Sequence, residues 1–242
     1  MEQVKISNIL NPAELCKEKS NMKILGFSFC YTSTMKRLIL NADDFCLSPV
    51  FNDVITELIK EGTVSSTSVM IDRFDESQRA QVEELKATKA GIGLHVEFTS
   101  ADSFNEEIQR QYKLFKQVFD QKPSHLDIHK TDYLETGYPA IVQFAKDHNL
   151  PFAHHDIGAE DGITTTKQSI GAIHHSLDQI VIWLELFGED DTGELVLHPG
   201  KYDANCKTSL NYERVVDVTK ARAVKRYCEA NGVEVISFSD LA

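Results

Sequence analysis

From Arg37 to the C-terminus the chain alternates short runs of β-formers with longer amphipathic segments, and this alternation constrains the fold more than any other feature. The β-rich runs are Leu38–Asn41, Ser66–Ile71, Ile92–Phe98, His125–His129, Phe152–His155, Leu195–His198 and Glu234–Phe238. Helical periodicity marks the stretches near Val50–Glu61, Glu76–Ala87, Glu106–Asp120, Tyr138–His148, Gln168–Phe187 and Tyr212–Asn231. Strands separated by helices pair in parallel, so the pattern predicts an α/β fold of about seven parallel strands. A closed or nearly closed barrel is the first choice and an open doubly wound sheet the second. Polar, ligand-type residues decide the preference, because they fall at the ends of four different strands. In a β/α barrel those C-terminal strand ends are where active sites assemble.

Bulk properties narrow the function. The 242 residues carry 42% hydrophobic and 26% charged side chains, an ordinary globular balance that predicts a sizeable core. A net charge of -12 argues against phosphate-backbone binding, so no nucleic-acid partner is expected. Cys16, Cys30, Cys46, Cys206 and Cys228 are scattered and form no CxxC pair, which favours neither a disulfide framework nor a zinc ribbon. A reducing cytoplasm fits them best. No apolar run approaches the roughly 20 residues of a membrane span. Ile24 to Tyr31 is short and lacks a small-residue cleavage site, so a secretion signal is not expected. Residues 1–34 read as a polar, irregular extension, and residues 35–242 as the functional domain.

Four segments carry chemistry. The first strand runs into Asn41-Ala42-Asp43-Asp44-Phe45, two adjacent carboxylates straight after an apolar run. Burying them is costly unless they meet solvent or a cation. A helix N-cap is the alternative, although Ser48-Pro49 already supplies cap and first helical residue. In the third strand Gly93, His95 and Glu97 share a face by the period of two. In the fourth, His125, Asp127 and His129 project one way and Leu126 and Ile128 the other, a pattern hard to reconcile with core packing. The last apolar strand ends in His198-Pro199-Gly200, where an imidazole meets a forced turn. Asp44, His95 and His129 make an Asp/His/His set suited to a catalytic divalent ion with positions left open. Asp43 and His198 remain as a base and an acid for hydrolysis.

These segments, in this order, resemble the YdjC-like carbohydrate deacetylases, whose best-known members act on chitooligosaccharides. The similarity runs from about Lys36 to the C-terminus and includes Gly62-Thr63-Val64-Ser65-Ser66-Thr67-Ser68 after the first helix. The wider superfamily contains NodB-type polysaccharide deacetylases built on a distorted (β/α) barrel. The resemblance implies Asp43 as general base, Asp44, His95 and His129 as metal ligands and His198 as general acid. Asp127 then orients a ligand or the catalytic water. It implies one divalent ion (Zn, Co, Ni or Mg) and a small-molecule or oligosaccharide substrate bearing N-acetyl groups. Three segments depart from the family pattern: Cys46 where glycine follows Asp-Asp-Phe, Ile128, Lys130, Thr131 and Asp132 around the retained His129, and Ala153-His154-His155 where the fifth strand ends in arginine.

The resulting expectation is a cytoplasmic, metal-dependent amide hydrolase acting on N-acetylated sugars, with oligomeric assembly left open. A glycoside hydrolase is the rival enzyme, but it needs two carboxylates facing each other across a cleft. A non-catalytic metal- or sugar-binding barrel is the other alternative, and it has no need of Asp43 or His198. His174-His175 reads as surface within a helical stretch, and one of His154-His155 as a residue reaching the barrel mouth.

Overall fold

A computed structural model describes residues 36–100, 103–130, 134–153 and 161–241. The extension at residues 1–34 and the pair His154-His155 lie outside the described residues. Seven parallel strands form one sheet: β1 (Arg37–Phe45), β2 (Ser66–Val69), β3 (Gly91–Val96), β4 (Leu126–Ile128), β5 (Gln168–Gly171), β6 (Thr192–Leu197) and β7 (Glu234–Ile236). Their order is β4-β3-β2-β1-β6-β5, with β7 also paired to β1. The helices are α1 (Pro49–Lys60), α2 (Arg79–Lys86), α3 (Phe104–Phe119), α4 (Leu134–His148), α5 (Leu177–Glu185) and α6 (Glu213–Asn231).

β1 is the centre of the sheet. One edge pairs with β6, while the other is shared, Arg37–Ile39 with β7 and Asn41 onward with β2. Splitting one edge between two neighbours curls the sheet into the parallel half-barrel of a distorted (β/α) barrel. Phe152 adds single parallel bridges to Leu126 and Thr165. The open doubly wound alternative is set aside.

Two boundaries differ from the sequence expectation. Within the described residues the run at Phe152–His155 contributes only the bridges at Phe152. The fifth strand is instead Gln168–Gly171, inside a stretch expected to be helical, and it pairs with Gly193–Val196. The helix starts only after Ser176, whose hydroxyl accepts from Gln179 N while the Gln179 side chain accepts from Ser176 N. That capping box fixes the N-terminus of α5 and leaves the preceding segment, with β-branched Ile170, to the sheet. His174 therefore sits in a short 3-10 turn rather than in a helix, exposed as expected, and His175 is half-buried.

β1 is buried from Leu38 to Phe45, as a strand covered on both faces must be. Leu38, Leu40 and Ala42 join the main core with Ile55, Leu58, Leu94, Phe115 and Leu195. Ile39 belongs to a separate cluster with Ala153, Ile236 and Phe238. Above that apolar plug lies a polar layer on the same face of β1. Asn41 Nδ2 donates to Asp43 Oδ1 (2.8 Å) and to Ser68 Oγ (2.9 Å), and Ser68 Oγ lies 3.1 Å from His125 Nε2. His125 stacks on Phe238 at 4.0 Å between centroids and lies over Gly93. A Cβ on Gly93 would sit 2.3 Å from the His125 ring, so only glycine leaves room for it. Gly93→Ala is expected to cost about 1–3 kcal/mol through overpacking. Urea unfolding measures it, and a wild-type midpoint would show that His125 moves aside freely.

Candidate active site

The two aspartates at the end of β1 escape strict strand alternation through a local irregularity. The register with β2 slips by one residue between Ala42 and Phe45, and Asp44 takes a φ of 72°. A left-handed residue in a bulge turns the chain, so neighbouring side chains serve the same site. Such a conformation costs a non-glycine residue about 1–2 kcal/mol, and it recurs at Cys46 with φ 77°. Hydrogen bonds hold the turn: Leu47 N donates to Asp44 O, Cys46 N to Asn52 Oδ1 and Gln78 Nε2 to Cys46 O. Cys46 thus occupies a backbone position suited to glycine, and burial pushes its thiol well above the ordinary range. Cys46 does not join the donor group of Asp44, His95 and His129. Ser48 caps α1 through Val50 N with Pro49 following, so the carboxylates are not needed as caps.

β3 and β4 bring the imidazoles to these carboxylates. Asp44 Oδ1 lies 3.5 Å from His95 Nε2 and 3.3 Å from His129 Nδ1, and the two nitrogens are 3.3 Å apart. Asp44 Oδ1 is buried without a hydrogen-bond partner. A tetrahedral ion with ligands at about 2.0–2.2 Å separates its donor atoms by roughly 3.3–3.6 Å, so this triangle fits one divalent ion. The three residues foreseen as a ligand set are brought together. Behind them Asp127 Oδ2 stands 2.8 Å from His95 Nδ1, which directs the opposite nitrogen, Nε2, toward Asp44.

Electrostatics follow from burial and pairing. Burial opposes the charge on Asp44, but the facing imidazoles of His129 and His95 outweigh it and hold the carboxyl well below the usual range. Burial alone would lower His95, yet Asp127 and Asp43 reverse the effect and raise it well above the ordinary imidazole value. His198, at the end of β6, has its Nε2 3.8 Å from Asp43 Oδ2, so base and acid candidates are neighbours. Burial pushes His198 down to about 4. Asp44 and His95 are 2% exposed, whereas the side chains of His129 and His198 are 20% and 18% exposed. The site opens to solvent on the side of those two histidines.

Sequence reasoning missed three participants. Asn41 holds Asp43 Oδ1, as described above. Arg214, fully buried on α6, places Nη2 2.6 Å from Asp44 Oδ2, and its guanidinium lies 4.1 Å from the Phe51 ring centroid. Asp217 Oδ2 accepts from the backbone N–H of His198 at 2.9 Å. The signal was available: Arg214 and Asp217 prolong the buried face Ala221, Val224 and Cys228 of the same helix. Charged residues in line with an apolar stripe are unusual enough to mark a buried role.

The YdjC-like protein family model matches residues 37–106, which span β1, both aspartates and His95. A carbohydrate deacetylase of Clostridium beijerinckii is 25% identical over 85% of this chain and all of its own length. A chitooligosaccharide deacetylase of Serratia marcescens is 26% identical, over 85% of this chain and 99% of its own. Over residues 37–106 the chain is similar to the YdjC-like family. The fold is also close to solved structures. A protein of Enterococcus faecalis V583 has a TM-score of 0.69 at 19% identity, covering 86% of this chain and 99% of that one. A Bacillus subtilis peptidoglycan deacetylase, PdaC, has a TM-score of 0.51 at 12% identity over 86% and 91%. Among the described residues no helix is long and apolar enough to cross a membrane.

Proposed function

We propose that this chain is a metal-dependent hydrolase that removes acetyl groups from N-acetylated sugars or oligosaccharides. The donor triangle of Asp44, His95 and His129, with the Asp43–His198 pair beside it, is the observation that carries the reading. Relatives named carbohydrate and chitooligosaccharide deacetylases supply the substrate class. Imidazole nitrogens with one carboxylate suit Zn²⁺, Co²⁺ or Ni²⁺ better than Mg²⁺. When bound, such an ion supplies Lewis acidity that polarises the acetamide carbonyl and acidifies water.

The protein's own groups move the protons. Asp43, kept in orientation by Asn41 at Oδ1, accepts the proton of the attacking water through Oδ2, the oxygen that faces His198. His198 is unprotonated near neutral pH, so it has to gain its proton within the site. Asp43 Oδ2, 3.8 Å away, is the nearest source. His198 then protonates the leaving amine, which cannot depart as an amide anion. A glycoside hydrolase fits less well, since Asp43 and Asp44 are adjacent rather than opposed across a cleft. We assign the activity to residues 35–242 and place the protein in the cytoplasm, in keeping with its scattered cysteines. A chain beginning at Met35 is expected to keep its turnover, because every residue with an assigned role lies beyond that point. An inactive truncated protein would give residues 1–34 a role. The function is tested by assaying acetate release from N-acetylated mono- and oligosaccharides with each of the four ions. Acetate from at least one substrate is expected, and none from any combination would overturn the reading.

A further inference from the structure

The first turn of α6 is inside out. Val215 and Val216 are 48% and 52% exposed, while Arg214 and Asp217 are completely buried. A helix turns charges inward and valines outward only where the buried charges have work to do. Asp217 grips the backbone of His198, and Gly200 N donates back to Arg214 O at 3.2 Å, so this turn is tied to the end of β6. Gly200 also gives Arg214 its room, because a Cβ there would lie 3.2 Å from Arg214 Cδ and 2.8 Å from Phe51.

We infer that Arg214 is a positioning residue that makes Asp44 a one-oxygen ligand, an inference that rests on the metal-site reading above. The two oxygens of Asp44 have separate neighbours: Oδ2 takes the guanidinium at 2.6 Å, while Oδ1 faces His95 and His129. A carboxylate free at both oxygens can chelate an ion and fill a further coordination position. Held at Oδ2 by a charge-assisted hydrogen bond, Asp44 can offer only Oδ1. The position it leaves vacant is then available to water and to the acetamide oxygen. Phe51 beneath the guanidinium and Gly200 beside its stem fix the cation's place, so the choice of oxygen is built into the fold.

The test uses Co²⁺ alone as the probe, because its visible absorption weakens as its coordination number rises. Wild type, Arg214→Met and Arg214→Lys are loaded with Co²⁺, and the spectrum, metal stoichiometry and acetate release are recorded. R214M is expected to keep one ion per chain but lose visible intensity as Oδ2 joins it. Its turnover should fall by about 10- to 100-fold, the usual effect of removing a partner of a metal ligand. R214K retains a cation for Oδ2 and should keep the wild-type band. Should R214M fail to fold, Arg214→Ser, which leaves room for water around the carboxylate, takes its place in the same comparison. A variant with the wild-type Co²⁺ spectrum and only a lower melting temperature would overturn the inference and make Arg214 a brace for α6. Wild-type protein that binds no Co²⁺ would overturn the metal site itself, and this inference with it.

Discussion

Asp44→Ala is expected to lose both its ion and its turnover. Asp44 Oδ1 is one corner of a triangle whose other corners are His95 Nε2 and His129 Nδ1, and removing it leaves two protein donors. The substitution also strips Arg214 of its buried counter-charge, which typically costs about 3–5 kcal/mol of stability. Chelated wild-type protein is therefore the matched control, since it lacks the ion but keeps the ion pair. Both samples should show turnover at background, and only the wild type should recover when Zn²⁺, Co²⁺ or Ni²⁺ is added. Elemental analysis with circular dichroism separates loss of ion from loss of fold. The pH dependence has a definite sign. Burial works against protonated His95, but Asp127 and Asp43 raise it above the ordinary value, so an entering ion displaces a proton. Metal affinity should rise as pH increases through neutrality and fall on the acid side. Asp44→Ala with a full complement of bound ion and full turnover would remove the ligand set from the account.

Asp43→Asn is expected to keep its ion and fold and lose rate by roughly 10²–10⁴-fold, the range for removing a general base. The amide has nearly the shape of the carboxylate but cannot accept the water proton. His198→Ala should resemble it, with the ion retained and departure of the amine slowed. Metal content and kcat on both variants check the assignment. If Asp43→Asn lost its ion while Asp44→Ala kept it, the roles of the two aspartates would be exchanged.

Much of this was legible in the sequence because parallel α/β folds write their periodicity plainly. The period of two put Gly93 with His95 on β3 and His125 with Asp127 and His129 on β4, and the structure brings His95, Asp127 and His129 to one site. The ends of β1 and β6 were marked by residues that strands rarely bury, Asp43-Asp44 and His198. Tertiary detail stayed hidden. Nothing local separates Gln168–Gly171 from the helix that follows until the Ser176 capping box is weighed, so β5 was read as helix. Arg214 lies 170 positions from Asp44, and only packing of α6 against β1 brings them together. The left-handed turn at Asp44 and Cys46 left only faint traces: aspartate tolerates a positive φ better than most residues, and the family pattern has glycine where this chain has Cys46.

Hydrolysis of an acetamide and hydrolysis of a glycosidic bond leave different products, so product analysis on one N-acetylated chitooligosaccharide tests the central claim most directly. The metal-loaded protein is expected to release acetate and to create free amine in equal amounts, with the chain length of the oligosaccharide unchanged and both products absent after chelation. Shortened oligosaccharides with new reducing ends and no acetate would contradict the deacetylase account.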